Sequence, residues 1–338
     1  MKDVRLLEQE LLQPSDALVA AMAEIEGDIM LLGVGGKMGP SMARLARQAA
    51  DRAGVTKRII GVSRFSDPVL PATLQADGIE TIAADLLNEA HLAAMPDVKN
   101  IIYLAGQKFG TTGKEAFTWA MNTYLPGRVA ERFKASRIVA FSTGNVYPFV
   151  PLSTGGASED VPAEPVGEYG QSCLGRERLF QYFSSLYQIP TLIYRLNYAV
   201  DLRYGVLLEV AQSVQEEKPI DLSTGHVNVI WQGDANEIAL RALLHCDVPA
   251  KILNVTGPET ISVQWLAEQF GLLLGKTPLF INEPQPTALL NNASQAHRLF
   301  GYPRVTLRQM IEITAAWVQQ GGYTFGKATH FQERAGKF

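Results

Sequence analysis

Between residues 28 and 197 the chain alternates short apolar runs with stretches of helical period. Asp28-Ile-Met-Leu-Leu-Gly33 is an unbroken apolar run closed by glycine, the form of a strand buried on both faces. A helix follows over about Met38–Arg52. Further strands are predicted at Arg58–Val62, Glu80–Ala83, Asn100–Leu104, Arg137–Phe141 and Pro190–Arg195. Helical patterns lie between them, clearest at Glu115–Lys134 and Gly170–Tyr187. Strand, helix, strand at this spacing implies right-handed crossovers and a parallel sheet with helices on both sides. The predicted fold class is therefore α/β, a doubly wound parallel sheet.

After Asn197 the rhythm loosens. The pattern predicts helices at Tyr204–Glu217, Asp234–His245, Val263–Leu274 and Leu307–Gln319, and strands at Val227–Trp231 and Lys251–Val255. The tail Gly321–Phe338 is Gly-rich without a period. Residues 3–26 read as one or two short helices, with Pro14-Ser15-Asp16 supplying a break and an N-cap. The expected organisation is an N-terminal helical extension over 1–27 and a main domain over 28–197, to which 222–260 partly return. A smaller C-terminal lobe and tail take 198–221 and 261–338.

Composition narrows the function. Hydrophobic residues at 47% and charged residues at 19% fit an ordinary globular protein, and 338 residues suit two packed lobes. A formal net charge of −4 gives no reason to expect nucleic acid or an anionic membrane as partner. Two cysteines, Cys173 and Cys246, make no disulfide framework, and neither they nor the scattered histidines suggest a metal site. Acidic residues interrupt the first 27 positions, unlike a secretory signal, and no run approaches the roughly 18 apolar residues of a membrane helix. A cytoplasmic protein is expected.

The strongest local signal is Gly33-Val34-Gly35-Gly36-Lys37-Met38-Gly39, where Gly33, Gly36 and Gly39 form GxxGxxG between a strand and a helix. A pyrophosphate must approach backbone amides at a helix N-terminus, and side chains there would hold it away. In a βαβ unit this is the Rossmann-type signature of a dinucleotide site. Lys37 and Met38 belong to the same loop. At the end of the second strand, where an NAD site carries an acid, the chain reads Val62-Ser63-Arg64-Phe65. Ser63 and Arg64 suit the extra 2′-phosphate of NADP through charge-assisted hydrogen bonds, so NADP is expected, with NAD possible.

From here the spacing resembles the extended short-chain dehydrogenases/reductases, the NAD-dependent epimerase/dehydratase family, over roughly residues 28–320. The resemblance implies adenine contacts at Asp85-Leu86 and small residues beneath the cofactor at Leu104-Ala105-Gly106. It also implies a functional asparagine at Asn122 and a further cofactor or substrate contact at Asn197. Phe141-Ser142-Thr143-Gly144-Asn145-Val146-Tyr147 is similar to the family's Ser-Ser-x-x-Val-Tyr segment. By position Thr143 takes the catalytic hydroxyl role, with Ser142 beside it and Asn145 facing substrate. Tyr169-Gly170-Gln171-Ser172-Cys173 is similar to the Tyr-x-x-x-Lys helix, which makes Tyr169 the catalytic tyrosine. Family analogues also dimerise through helices matching Glu115–Lys134 and Gly170–Tyr187, so a homodimer is implied.

One position departs from that pattern: Cys173 stands where the family has lysine. That lysine holds the nicotinamide ribose and lowers the tyrosine pKa. An unperturbed phenol with a pKa near 10 is only about 0.1% ionised at pH 7, and a thiol supplies no cation. Three readings follow. Another lysine substitutes, Lys108 after the fourth strand being the first choice and Lys37 the second, against a plain solvated loop lysine. Alternatively Tyr169 acts only as a proton donor, or the protein is a catalytically silent dinucleotide binder, a sensor or regulatory subunit. Cys173 itself reads as a buried inert thiol more readily than as a nucleophile.

On the substrate side the family's Arg-x-x-Asn-x-Tyr-Gly-Pro segment becomes Arg195-Leu196-Asn197-Tyr198-Ala199-Val200-Asp201, without Tyr-Gly-Pro. Arg203, Tyr204, Trp231 and Gln232 are expected to face the cleft. Trp231 would stack on a sugar or serve the core. The Pro-, Gly- and Ser-rich Pro148–Gly167 segment is expected to cover the site. The expected activity is an oxidoreductase, epimerase or dehydratase acting on a sugar-derived hydroxyl.

Overall fold

The computed structural model describes residues 13–108, 110 and 113–337. The helix expected before Pro14 lies outside the described residues. Helix α1 (Asp16–Glu24) is capped by Ser15, whose hydroxyl accepts the Leu18 N–H at 3.1 Å and donates to Glu237 at 2.5 Å. This leading segment is thereby tied to a distant part of the chain.

Strands β1 (Ile29–Leu32), β2 (Ile59–Ser63), β3 (Glu80–Ala83), β4 (Asn100–Tyr103), β5 (Arg137–Thr143), β6 (Thr191–Leu196) and β7 (Lys251–Val255) form one seven-stranded sheet. The order is β7-β6-β5-β4-β1-β2-β3, and every pairing is parallel. The order reverses between β1 and β4, which opens a crevice at the carboxyl ends of these strands. Helices follow in the order α2 (Gly39–Arg52), α3 (Leu70–Ala76), α4 (Glu89–Ala93), α5 (Glu115–Trp119), α6 (Leu125–Arg132), α7 (Gly167–Tyr187), α8 (Val206–Gln215), α9 (Gln232–Arg241), α10 (Val263–Leu274), α11 (Ser294–Phe300) and α12 (Leu307–Gln319).

Coverage on both faces explains the continuous apolar runs. Ile29 and Leu31 pack with Met42, Ala46 and Ala239 on one face, whereas Met30 and Leu32 pack with Val129, Phe133 and Phe180 on the other. The small side chains of α2 let it lie close to the sheet. Gly39 is indispensable there, because a Cβ would stand 2.2 Å from the Val34 carbonyl oxygen. A separate core joins α8, α10 and α12 through Val206, Val210, Leu266, Phe270 and Met310, and the tail contributes Phe331 to it. No helix among the described residues is long and apolar enough to cross a membrane.

Several elements differ from the sequence reading. The stretch read as one helix over 115–134 is α5, a π-helical turn Ala120–Tyr124, and α6. Pro126 has no N–H to give the Asn122 carbonyl four residues earlier, and Arg176 Nε donates to that oxygen instead at 3.4 Å. The strand expected at Val227–Trp231 splits. His226–Val227 pairs antiparallel with Ile261–Ser262, and Ile230–Trp231 pairs parallel with Ala199–Val200. The Pro148–Gly167 segment does not cover the cleft. It docks instead on the 287–291 segment, Val150–Pro151 pairing with Thr287–Ala288 and Ala157 bridging to Asn291.

Candidate active site

The crevice at the switch point is a cleft of about 980 Å³ including its open mouth. One wall is the β1–α2 loop, where Gly33, Gly36, Lys37, Met38 and Gly39 line the space. Gly33 holds φ at +96°, and a Cβ there would stand 2.7 Å from the Ala105 N. The bare loop can thus press against the end of β4, and the N-terminus of α2 at Gly39 lines the cleft. That arrangement suits an anionic phosphate group. Ser63 lies beside the loop, since a Cβ at Gly35 would stand 2.5 Å from its hydroxyl oxygen. Arg64 is exposed at the end of β2.

The opposite wall carries Ser142, Thr143, Asn145 and Tyr169, with Lys108, Asn197, Tyr198 and Tyr204 closing the space. Thr143 Oγ1 donates to Asn145 Oδ1 at 3.0 Å and accepts the Asn145 N–H at 3.2 Å. Thr143 and Cys173, the latter one turn along α7, both lie close enough to the Tyr169 phenol to bias its ionisation. Burial and the neighbouring thiol push the phenol's pKa upward. Burial does the same to Cys173, whose side chain is enclosed with Tyr147, Val150 and Leu290. Lys37 Nζ donates to the Ala199 carbonyl at 2.8 Å and lies 4.2 Å over the Tyr204 ring. Burial lowers Lys37 to about 7 and Lys108 to about 8. Lys108 is therefore a half-buried cleft residue, not a solvated loop lysine.

Other expected site residues lie elsewhere. Trp231 is 1% exposed within the core around α8 and does not reach the cleft, which corrects the substrate role expected for it. Asn122 is fully buried and off the cleft wall. Its amide accepts the Gln107 N–H at 2.7 Å and donates to the Gln107 carbonyl at 2.8 Å and to Ser172 Oγ at 3.0 Å, so it clamps the loop after β4. Gly106 lies in that loop against Arg176, and Ala105 against Gly33. Leu86 is buried in the sheet core, and the Asp85 carboxylate accepts the Leu87 N–H at 3.0 Å. Asn197 donates to Asn228 Oδ1 at 2.8 Å from its place on the cleft wall. Arg203 turns to Asp201 at 3.2 Å and lines an adjoining depression with Lys327 and Ala328 of the tail. Gln232 donates to Ser41 at 3.1 Å, away from the cleft.

Sequence reasoning missed the support beneath Ser142. Ser142 Oγ donates to Glu177 Oε1 at 2.5 Å, and Arg195 grips the same carboxylate at 2.9 and 2.6 Å. Arg195 also donates to Tyr147 Oη at 2.6 Å, and that hydroxyl donates to Asn254 Oδ1 at 3.0 Å. Arg176, one turn past Cys173, donates to the Phe141 carbonyl and to Asn122 Oδ1, both at 2.8 Å. The tail supplies Thr329 to the cleft wall, pinned by Glu209 at 2.6 Å.

A glycine loop at the switch point of a 3-2-1-4-5-6-7 parallel sheet, facing a threonine–tyrosine pair, defines an enzyme architecture of the extended short-chain dehydrogenase/reductase type. The chain belongs to the NAD dependent epimerase/dehydratase family, whose model matches residues 29–250. No curated protein matches it in sequence. Among solved structures, UDP-glucuronic acid 4-epimerase of Bacillus cereus in complex with NAD is similar at 20% identity, over 89% of this chain and 99% of that one, with a TM-score of 0.72. UDP-glucose 4-epimerase of Thermotoga maritima with UDP-glucose is similar at 15% identity, over 87% and 99%, with a TM-score of 0.70. The dTDP-glucose 4,6-dehydratase of Bacillus anthracis in complex with NAD is similar at 18% identity, over 87% and 97%, with a TM-score of 0.71. At these identities the likeness is one of fold.

Proposed function

We propose that this chain binds a nicotinamide dinucleotide along the glycine loop and uses it to oxidise, epimerise or dehydrate a hydroxyl of a sugar-like substrate. Bare backbone at Gly33, Gly36 and Gly39 fits a diphosphate at the N-terminus of α2. Ser63 and Arg64, with no acid beside them, favour NADP over NAD. Bound there, the dinucleotide supplies the hydride exchange, and the protein's part is positioning and proton management. Residues 28–197 form the cofactor domain in this reading, and 198–221 with 261–338 the substrate lobe. The similar epimerases and dehydratase, described with NAD or UDP-glucose, support a carbohydrate-type substrate.

The observation that carries the reading is that Thr143 and Tyr169 line the same cleft as the glycine loop, on the wall facing it. Thr143 holds the reacting substrate oxygen, and Tyr169 exchanges its proton. Tyr169→Phe keeps the ring and removes the proton, so turnover of sugars or nucleotide sugars, followed by chromatography of the products, should fall at least about 100-fold. Retained turnover would refute the role. One observation favours the silent binder: Cys173 is a buried neutral thiol where a cation is needed, and Tyr169 is held protonated. Under that reading Cys173→Lys gains activity; under the enzymatic one it gains none. Exposed Phe117, Trp119, Tyr124, Tyr182 and Leu186 on α5, the π turn and α7 support a homodimer, which light scattering tests.

A further inference from the structure

Residue 173 lies one turn beyond Tyr169 and carries no charge to steady either a phenolate or a ribose. Two cations approach this point from elsewhere. Arg176 comes from below and draws the Tyr169 phenol's pKa down, but its guanidinium is occupied by the Phe141 carbonyl and Asn122 Oδ1, and it takes no part in the cleft wall. Lys108 comes from across the cleft. Its side chain lines the same space as Thr143 and Tyr169, and its ammonium is near enough to Cys173 for each to bias the other's protonation. Its chain neighbour Gln107 is held in place, because Asn122 of the π turn grips that residue by both its N–H and its carbonyl.

We propose that Lys108, reaching over from the end of β4, supplies the positive charge that position 173 lacks, serving the Tyr169 phenol and the nicotinamide-ribose end of a bound dinucleotide. The proposal rests on the dinucleotide reading above. Lys37 is the weaker choice, because its ammonium is directed to the Ala199 carbonyl and the Tyr204 ring, and the charges acting on it are those of Asp201, Lys108 and Arg203, not that of Cys173. The charged or titratable groups facing Lys108 are Cys173 on α7, Glu209 on α8 and Lys37 of the glycine loop. Lowered only to about 8, Lys108 keeps most of its charge at pH 7. The π turn gains a purpose as well: the extra residue sets Asn122 where it can fix the loop that aims this lysine.

The test compares the wild type with Lys108→Met, Lys108→Arg and the double variant Lys108→Met/Cys173→Lys, all as full chains. Calorimetry at pH 7 measures two probes: NADP, and 2′-phospho-ADP, which has the adenine and the diphosphate but neither the second ribose nor the nicotinamide. If NAD binds the wild type more tightly, NAD and ADP take their place. Lys108→Met should weaken the dinucleotide roughly tenfold or more, the scale of one charge-assisted hydrogen bond, and leave the shorter probe unchanged. Lys108→Arg should hold most of the affinity, and Cys173→Lys should restore it in the Lys108→Met background. Unchanged dinucleotide affinity in Lys108→Met would overturn the proposal. So would an equal loss for both probes, which marks a lysine that only shapes its loop. Should the double variant not fold by circular dichroism, the contrast between Met and Arg at 108 decides alone. A wild type that binds neither probe overturns the dinucleotide reading itself, whereas binding that is indifferent to Lys108 overturns this proposal only.

Discussion

Replacing Glu177 by glutamine removes one charge and almost no volume from a fully enclosed network, and the cost can be worked from its geometry. The Glu177 side chain is 0% exposed and that of Arg195 3%, so no solvent screens the pair. The carboxylate accepts from Ser142 Oγ, Arg195 Nε and Arg195 Nη2 at 2.5, 2.9 and 2.6 Å. A glutamine amide accepts on one side only and turns an NH2 toward a donor on the other. Arg195 keeps its bond to Tyr147 but loses its counter-ion. Removing one partner of a buried pair costs about 3–5 kcal/mol, a large share of the roughly 5–15 kcal/mol that holds a protein folded. With a urea m-value near ~3 kcal/mol/M, the unfolding midpoint should fall by about 1–2 M. Circular dichroism in a urea series measures it. The double variant Glu177→Met/Arg195→Met should recover much of the loss, because it leaves no buried ion behind. A midpoint for Glu177→Gln within about 0.2 M of the wild type would refute the reasoning.

Other expectations follow from the cleft. Arg64→Ala should weaken NADP roughly tenfold while leaving NAD unchanged, read by calorimetry; equal losses would deny Arg64 any contact with the 2′-phosphate. Lys37, lowered by burial from its ordinary value to about 7, binds fewer protons in the folded chain than in the unfolded one between about 7 and its unfolded pKa. Its contribution to stability therefore rises with pH across that window, and below pH 7 the full burial penalty is present. Lys37→Met should accordingly stabilise the free protein by a few kcal/mol at pH 6, with the gain shrinking by pH 10. Thermal melts at the two pH values check this, and a gain that grows with pH contradicts it.

Much of the sheet was legible because strands covered on both faces carry unbroken apolar runs, as Ile29–Leu32 and residues 138–141 do. The glycine loop was legible for a related reason: close approach of backbone to backbone leaves Gly33 and Gly39 no substitute. Short helices were not. Leu70–Ala76 and Glu89–Ala93 each bury a single residue and so leave no periodic stripe. The π turn at Ala120–Tyr124 was hidden because the Arg176 side chain that bonds its Asn122 carbonyl comes from a distant helix. The Glu177–Arg195 pair was hidden for the same reason, since its partners meet only once α7 lies against β6. Trp231 was ambiguous between cleft and core, and a strand that splits after Val227 turns it inward. Thr329 could not have been foreseen, because the tail that brings it to the cleft has no period to read.

The central claim is that exposed peptide N–H groups between Gly33 and Gly39 receive a dinucleotide's diphosphate and direct its nicotinamide toward Thr143 and Tyr169. Titrating the full chain with NADPH and NADH, followed by calorimetry and by the nicotinamide fluorescence, tests this most directly. The account predicts saturable binding with one site per chain, tighter for NADPH, and a changed nicotinamide emission as the ring enters the cleft. Absence of binding by either nucleotide up to about millimolar concentration, where only about 4 kcal/mol of affinity would be needed to see it, would contradict the account at its root.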